Sequence, residues 1–346
     1  MPLIEFSDKG LYCPAGKFYI DPWKPVQKAV ISHGHSDHAR WGSDHYLCHA
    51  DTKPILQTRL GPGNYETMEW GQTSFINGVK VSLHPAGHII GSSQIRVEHN
   101  GEVWVFSGDY KIEDDGISTA FEPVPCHTFI TECTFGLPIY KWKPQAQIYQ
   151  SIKEWITANK AAGRTSVLFA YSLGKAQRIL QPISEVTDTI LVHGAVYNVH
   201  TALVEAGWDL PAVERITPDT PKESLKGAVV IAPSSAEGTS WMKKFSPYAV
   251  GVCSGWMQVR GAVRRRNVDA GFILSDHADW DGLLTAVKAT GAQQVYATHG
   301  FQSAFSRYIT ELGLDGREVK TEYGTAADEE AVAPSGDDKI EEANEL

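Results

Sequence analysis

Residues 33–38 read His33-Gly34-His35-Ser36-Asp37-His38, three imidazoles and a carboxylate within six positions. Imidazole nitrogen and carboxylate oxygen together suit zinc and other divalent first-row metals. Four such groups are too crowded to aim at one ion. Along a short extended run His33 and His35 project to the same side, and after a turn Asp37 and His38 face a second ion. Gly34 lets the backbone come close and bend. The competing reading is a solvated loop that happens to be rich in histidine. Against it, residues 29–32 form an apolar, strand-like lead into the run, and sites are commonly built at strand ends.

The same arrangement recurs along the chain, with short strands each running into a ligand-type residue. Residues 17–21 read as a strand ending at Asp21. Residues 79–83 alternate and lead to His88. Residues 94–97 and 103–106 form a hairpin around Asn100-Gly101, a strong turn pair, and its second arm runs into Asp109. Residues 129–131 deliver Glu132, residues 270–275 lead to Asp276-His277, and residues 295–298 lead to His299. Helices are expected from near Asp279 and from about 301 to 312. Each residue has an ordinary alternative: His88 and His299 as strand-end histidines, Asp109 as a turn cap, His277 as the neighbour of a helix cap, Glu132 as a surface acid. His45, His49, His84, His99, His127, His193 and His200 take the ordinary reading.

Between these segments the pattern changes. Residues 145–162 have helical apolar spacing and end at Gly163. Strands at 167–171, 189–192, 228–232 and 249–253 alternate with helices through 183 and over 196–206, as in an open α/β domain. The simplest organisation is one metal-binding domain made from residues 1–139 and 269–326, interrupted by an α/β insertion at 140–268.

Composition sets the frame. The 346 residues are 42% hydrophobic and 10% aromatic, an ordinary globular chain with a substantial core. No stretch is long and apolar enough for a membrane span and the start lacks a signal pattern, so a cytoplasmic location is expected. Cys13, Cys48, Cys126, Cys133 and Cys253 are an odd, scattered set, which argues for reduced thiols. The formal charge is −10, but residues 327–346 carry eight acids against Lys339, so −7 lies in that tail and −3 on residues 1–326. The tail reads as disordered, and local basic patches decide the partner of the folded part.

His-x-His-x-Asp-His with a later Gly-His, a later Gly-Asp and a late histidine resembles the metallo-β-lactamase superfamily, whose fold is an αββα sandwich. Thr131-Glu132, the long insertion, Asp276-His277 and Thr298-His299 resemble motifs A, B and C of its β-CASP nucleases, which carry an inserted α/β domain. Up to about residue 325 the chain is most similar to the bacterial ligase-associated DNA exonucleases. The resemblance implies that His33, His35 and His88 hold one metal, that Asp37, His38 and His299 hold another, and that Asp109 bridges them, the ions being zinc or manganese. It places Asp21 behind the first loop as an orienting residue. It makes His277, Glu132 and Asp37 catalytic: Glu132 orients His277, and His277 protonates the leaving oxygen. Two ions about 3.5–4 Å apart can share a hydroxide and clamp both oxygens of a phosphodiester, and the departing O3′ benefits from a positioned acid.

The implied activity is a two-metal 5′-to-3′ exonuclease on single-stranded DNA in repair, acting with an ATP-dependent DNA ligase and a helicase. The first alternative is an RNA-processing nuclease of the RNase J or 3′-end-processing type, since a histidine in motif C resembles the RNA-processing members. A small-molecule hydrolase of the glyoxalase or lactamase kind would leave Glu132 and His277 without work, and an idle scaffold has no need of a full ligand set. Within the insertion, Ser172, Gly174 and Lys175 lie between a strand and a helix N-terminus, where backbone N–H groups favour an anion. Family likeness makes this a pocket for a substrate phosphate, and a plain strand-to-helix turn is the alternative. Ser234 and Ser235 are a weaker candidate of the same kind. Arg260, Arg264, Arg265 and Arg266, with Trp256 nearby, form either a nucleic-acid groove or a solvated basic face.

Overall fold

The computed structural model describes residues 2–259 and 261–319. Arg260 and the acidic tail lie outside the described residues. By internal packing the chain divides into two compact units, one made of Met1–Lys141 and the segment from His277, the other of Trp142–Asp276.

Among the described residues the first unit holds two sheets. One runs, in spatial order, Glu5–Ser7, Gly10–Cys13, Phe18–Ile20, Lys28–Val30, His45–His49 and Tyr65–Met68. The other runs Asp315–Glu318, Gln294–Gly300, Thr128–Cys133, Glu102–Phe106, Ser93–His99, Val79–Pro85 and Thr73–Ile76. Side-chain alternation explains their stacking. Val79, Val81, Leu83, Trp104, Phe106 and Ile130 face Leu11, Phe18, Ile20, Val30 and Leu47 in a core between the sheets. Val103, Val105, Phe129, Val295 and Ala297 point the opposite way. They are covered by Trp280, Leu283 and Val287 of helix Trp280–Thr290 and by Phe305 and Ile309 of helix Gln302–Glu311. On the outer face of the first sheet, Ala29, Tyr46 and Cys48 pack with Leu56 of helix Thr52–Leu60. The layers are therefore helix, sheet, sheet, helix. All five cysteines are buried and unbridged, and no described helix is long and apolar enough to cross a membrane.

The second unit is a parallel sheet in the order Glu214–Arg215, Ile190–Val192, Val229–Ala232, Thr165–Phe169, Tyr248–Cys253 and Ala270–Phe272. One face is covered by helices Gln145–Ala161, Lys175–Ser184 and Gly194–Glu205 through Ile148, Ile152, Ile179, Leu180 and Val196. The other packs Val167, Phe169, Val230 and Val252 against Met242, Phe245 and Met257. One expectation is corrected here. Residues 270–275 do not return to the metal-binding sheets: Ala270–Phe272 is the edge strand of the inserted sheet, paired in parallel with Gly251–Cys253. Its apolar run satisfies either sheet, and Phe272 and Leu274 join the core of the insertion.

Candidate metal centre and active site

The loop after Lys28–Val30 makes its turn at residues 36–38, after His33 and His35, as the spacing predicts. The amides of His38 and Ala39 both donate to the carbonyl of His35, at 3.3 and 2.9 Å. Ser93 N donates to Ser32 O at 2.8 Å and ties the loop to the second sheet. The turn gathers its side chains instead of spreading them. His33 Nε2 and His88 Nε2 each lie 3.1 Å from His35 Nδ1. Asp109 Oδ2 lies 3.4 Å from His33 Nε2 and 3.7 Å from His88 Nε2. A tetrahedral ion with bonds of 2.0–2.1 Å spaces its donor atoms roughly 3.3–3.4 Å apart. The four separations straddle that value, so the donor set fits one divalent cation.

Asp37, His38 and His299 form a second group, with one ligand atom from each inside a 4.8 Å cluster. His38 Nε2 is 3.5 Å from Asp37 Oδ2 and 3.4 Å from the same Asp109 Oδ2. The His38 and His299 rings stack at 5.1 Å. Asp109 therefore touches both groups, and its second oxygen, Oδ1, is buried with no hydrogen-bond partner. Oδ2, at 3.4 Å from His33 Nε2 and from His38 Nε2, stands where a carboxylate shared by two cations would be needed.

The imidazoles are oriented from behind. Asp21 Oδ2 lies 2.7 Å from His38 Nδ1, Ser32 Oγ lies 3.0 Å from His33 Nδ1, and Thr298 Oγ1 lies 2.8 Å from His299 Nδ1. With each Nδ1 engaged, Nε2 is the atom left facing the cluster. Asp21 is itself held by the Ser32 amide at 2.7 Å and by the Ser32 hydroxyl. Asp21 and His299 have φ of 41° and 54°, conformations that non-glycine residues adopt only when the surroundings impose them. For His299 the imposing feature is a β-bulge. Thr298 pairs with Glu132 and Gly300 with the next residue, Cys133, so His299 is the extra residue turned out of the ladder. Gly108 leads into Asp109 with φ +56°, where a Cβ would stand 2.8 Å from Ser32 Cβ, so the approach of the two loops requires glycine.

Charge follows burial and proximity. Burial opposes charging of His38, but the carboxylates of Asp109 and Asp37 outweigh it and hold the imidazole well above its ordinary range. His33 is pushed well below that range by burial and by the nearby charge of His38, and His299 is lowered for the same two reasons. Burial would raise Asp109, but His38 and His277 hold it well below the carboxylate range. Asp37 is lowered against burial chiefly by His38. His33 and His299 are thus held toward the neutral form and Asp37 and Asp109 toward the carboxylate beside a charged His38, a set of donors suited to a cation.

Beside the cage, Glu132 is fully buried. Its Oε1 accepts from Tyr110 N at 3.1 Å, its Oε2 accepts from Thr134 N at 3.2 Å, and His277 Nδ1 lies 2.9 Å from Oε1. His277 is partly exposed and tilts against His88, ring centroids 4.7 Å apart. Asp109, Glu132 and His277 form a further cluster of ligand-type atoms within 4.8 Å. Sequence reasoning missed Ser32, Thr298 and the amides of Tyr110 and Thr134. The only signal was a hydroxyl immediately before His33 and another before His299. It also missed Arg59, whose guanidinium donates to the carbonyl of Gly34 inside the ligand loop.

In the second unit the structure places the other candidates as follows. Gly174 N donates to Gln177 Oε1 at 2.7 Å, and Gln177 Nε2 donates to Ser172 O at 3.0 Å, so the helix N-terminus is already capped from within. Lys175 is buried, with Nζ 3.8 Å from Asp276 Oδ2. Trp256 is half-buried, its amide bound to Ser254 Oγ at 3.1 Å. Arg264 and Arg265 are exposed and Arg266 is half-buried. Ser234 and Ser235 open a short 3-10 turn after Val229–Ala232.

No family model matches the chain. A probable DNA ligase from Opitutus terrae is 32% identical over 316 residues, 90% of this chain and 30% of that protein. The endoribonuclease YSH1 of Eremothecium gossypii is 30% identical over 35% of this chain and 16% of its own length, and that of Saccharomyces cerevisiae is 29% identical over 35% and 15%. The chain thus spans less than a third of each of these relatives. A crystal structure of a protein of unknown function from Enterococcus faecalis V583 matches with a TM-score of 0.58 at 11% identity, over 86% of this chain and 79% of that one, a likeness of fold alone. A helix-sheet-sheet-helix unit interrupted by a parallel α/β unit, aligned along most of its length with the first relative and over 35% of it with the others, belongs to the β-CASP group of the metallo-β-lactamase superfamily.

Proposed function

We propose that the chain is a metal-dependent phosphodiesterase, a 5′-to-3′ exonuclease on single-stranded DNA that serves repair in the cytoplasm. The observation that carries this reading is the buried Glu132 bonded to His277 beside the cage. A hydrolase of small lactam or thioester substrates has no use for that pair, whereas phosphodiester cleavage must protonate a poor leaving oxygen. Zinc or manganese ions held by His33, His35, His88 and Asp109, and by Asp37, His38, His299 and the shared Asp109, would supply an activated water and neutralise phosphoryl charge. Because Nδ1 of His277 is tied to Glu132, Nε2 is the atom that carries a proton toward the departing O3′. Glu132, fixed by two backbone amides, accepts the Nδ1 proton and balances the charge of the doubly protonated ring, the form in which Nε2 also has a proton to donate. Asp21 and Ser32 fix the rings that receive the cations.

The alignment over 90% of the chain with a protein named as a probable DNA ligase supports DNA as the substrate and a DNA ligase as partner; in this reading the ligase is ATP-dependent and a helicase acts with it. In the insertion, Lys175 with Ser172 and Gly174 would grip a terminal 5′ phosphate, and Trp256, Arg260 and Arg264 would follow the strand. Since the Gly174 amide is already engaged, that grip leans on the lysine. The endoribonuclease relatives favour a second reading, an RNA-processing nuclease. Competition decides between them: trace labelled DNA with excess RNA of equal sequence, and chimeric strands with one ribonucleotide at the scissile position. DNA cut faster than RNA supports the first reading, and RNA cut faster or equally replaces it with the second.

A further inference from the structure

The ligand loop continues past His38 into Ala39-Arg40-Trp41-Gly42-Ser43. Trp41 is 76% exposed, the most exposed large apolar side chain among the described residues. A singly exposed hydrophobic residue is ordinary on a protein surface; what sets this one apart is how firmly the loop is held. Tyr46 OH donates to Arg40 O at 2.8 Å and accepts from Ser43 N at 2.9 Å, clasping the residues on both sides of Trp41–Gly42. Val26 N donates to Ser43 Oγ at 3.2 Å, and Asp44 N donates to Val26 O at 3.0 Å. Gly42, at φ +97°, has Pro25 Cγ 3.0 Å from where its Cβ would stand, so the turn that presents the indole is closely backed. Three bonds along the chain place the Cα atoms of His38 and Trp41 no more than about 11 Å apart. Asp37, the more open ligand at 30% side-chain exposure, lies on the same short segment. An indole carried into water on a closely held loop, next to an exposed arginine and within one or two nucleotides of a phosphodiester cage, has the form of a stacking platform.

We propose that Trp41 stacks on a nucleobase of the substrate strand, flanking the scissile phosphate, and so contributes to binding without a preference for base identity. This rests on the reading of the chain as a nuclease. The test measures binding of a fluorescein-labelled single-stranded 12-mer by anisotropy, in a His277→Ala background that slows cleavage. The background, Trp41→Ala, Trp41→Leu and Trp41→Phe are compared on the intact strand and on strands with an abasic site moved one position at a time. Base-aromatic stacking predicts roughly 5- to 150-fold weaker binding for Trp41→Ala and Trp41→Leu, with Trp41→Phe near the background. At one abasic position the Trp41→Ala penalty should vanish, because the stacking partner is already gone. Equal binding by Trp41→Ala on the intact strand, or the same penalty at every abasic position, would overturn the assignment. If the background binds neither deoxy- nor ribo-oligonucleotide, the nuclease reading itself fails, a result distinct from either.

Discussion

The Glu132–His277 pair gives the sharpest test of the proposed chemistry. Glu132 is shielded from solvent and its oxygens meet three N–H groups: Tyr110 N at 3.1 Å, Thr134 N at 3.2 Å and His277 Nδ1 at 2.9 Å. Glu132→Gln keeps the shape and removes the charge. Its single amide oxygen can serve one side, leaving the NH2 group opposed to another donor, so the charge-assisted bond that holds His277 is lost or weakened. Such a bond contributes about 1.5–3 kcal/mol. If protonation of the leaving oxygen limits turnover, that corresponds to roughly a 10- to 150-fold lower rate. His277→Ala, which removes the donor itself, should lower turnover by about 10²–10⁴. In the double variant the carboxylate has no ring to orient, so Glu132→Gln should add no more than about twofold to the loss from His277→Ala. Initial rates on 5′-labelled oligonucleotide, with metal content measured alongside, give the cycle. Multiplicative losses in the double variant, or loss of a metal ion from His277→Ala, would refute the acid-and-orienter roles and make His277 a ligand.

Asp109→Ala should lose both ions or nearly so by elemental analysis, because one carboxylate oxygen serves both groups; a one-metal protein with full activity would remove the shared site. Lys175→Ala should reduce discrimination between 5′-phosphate and 5′-hydroxyl ends more than it reduces metal content, and equal wild-type rates on both ends would take the pocket out of the mechanism. His49 is stacked on Trp70 at 3.5 Å, and burial lowers its pKa to about 4. Its neutral form therefore stabilises the fold above pH 6.5, and that contribution is lost as pH falls toward 4. His49→Phe should narrow the drop in Tm between pH 7 and pH 5, and an unchanged drop would contradict that origin.

Much of the fold is local enough to read from the chain. The hairpin at Asn100-Gly101 has both turn residues at positive φ, as that pair favours, and the alternating strands around it face two different cores. Other elements carry no such signal. His45–His49 is buried along almost its whole length, so it lacks the polar alternation that marks a half-exposed strand. Asp315–Glu318 reads Asp-Gly-Arg-Glu and is a strand only because Gln294–Gly300 offers it an edge. Helix Thr52–Leu60 buries Thr52, Ile55 and Leu56 alone, too few for a clear stripe.

The candidate site divides along the same line. Ligand types crowd into a few short stretches and announce themselves, whereas the groups that aim them are set by pairings between distant strands. His299 shows this most clearly. In the sequence Thr298-His299-Gly300 is a strand running into a turn, and a side chain there could point to either face. The direction is fixed by the register of Gln294–Gly300 against Thr128–Cys133, where the shift after Glu132 turns His299 out of the ladder. That register joins segments on either side of the insertion, more than 150 residues apart in the chain. The same two strands carry Glu132 and Thr298 as direct partners, so one parallel pairing delivers the orienting carboxylate, the hydroxyl that holds His299 and the histidine itself. An insertion can occupy the intervening chain without disturbing the cage so long as that pairing forms, because the geometry of the site is stored in the sheet.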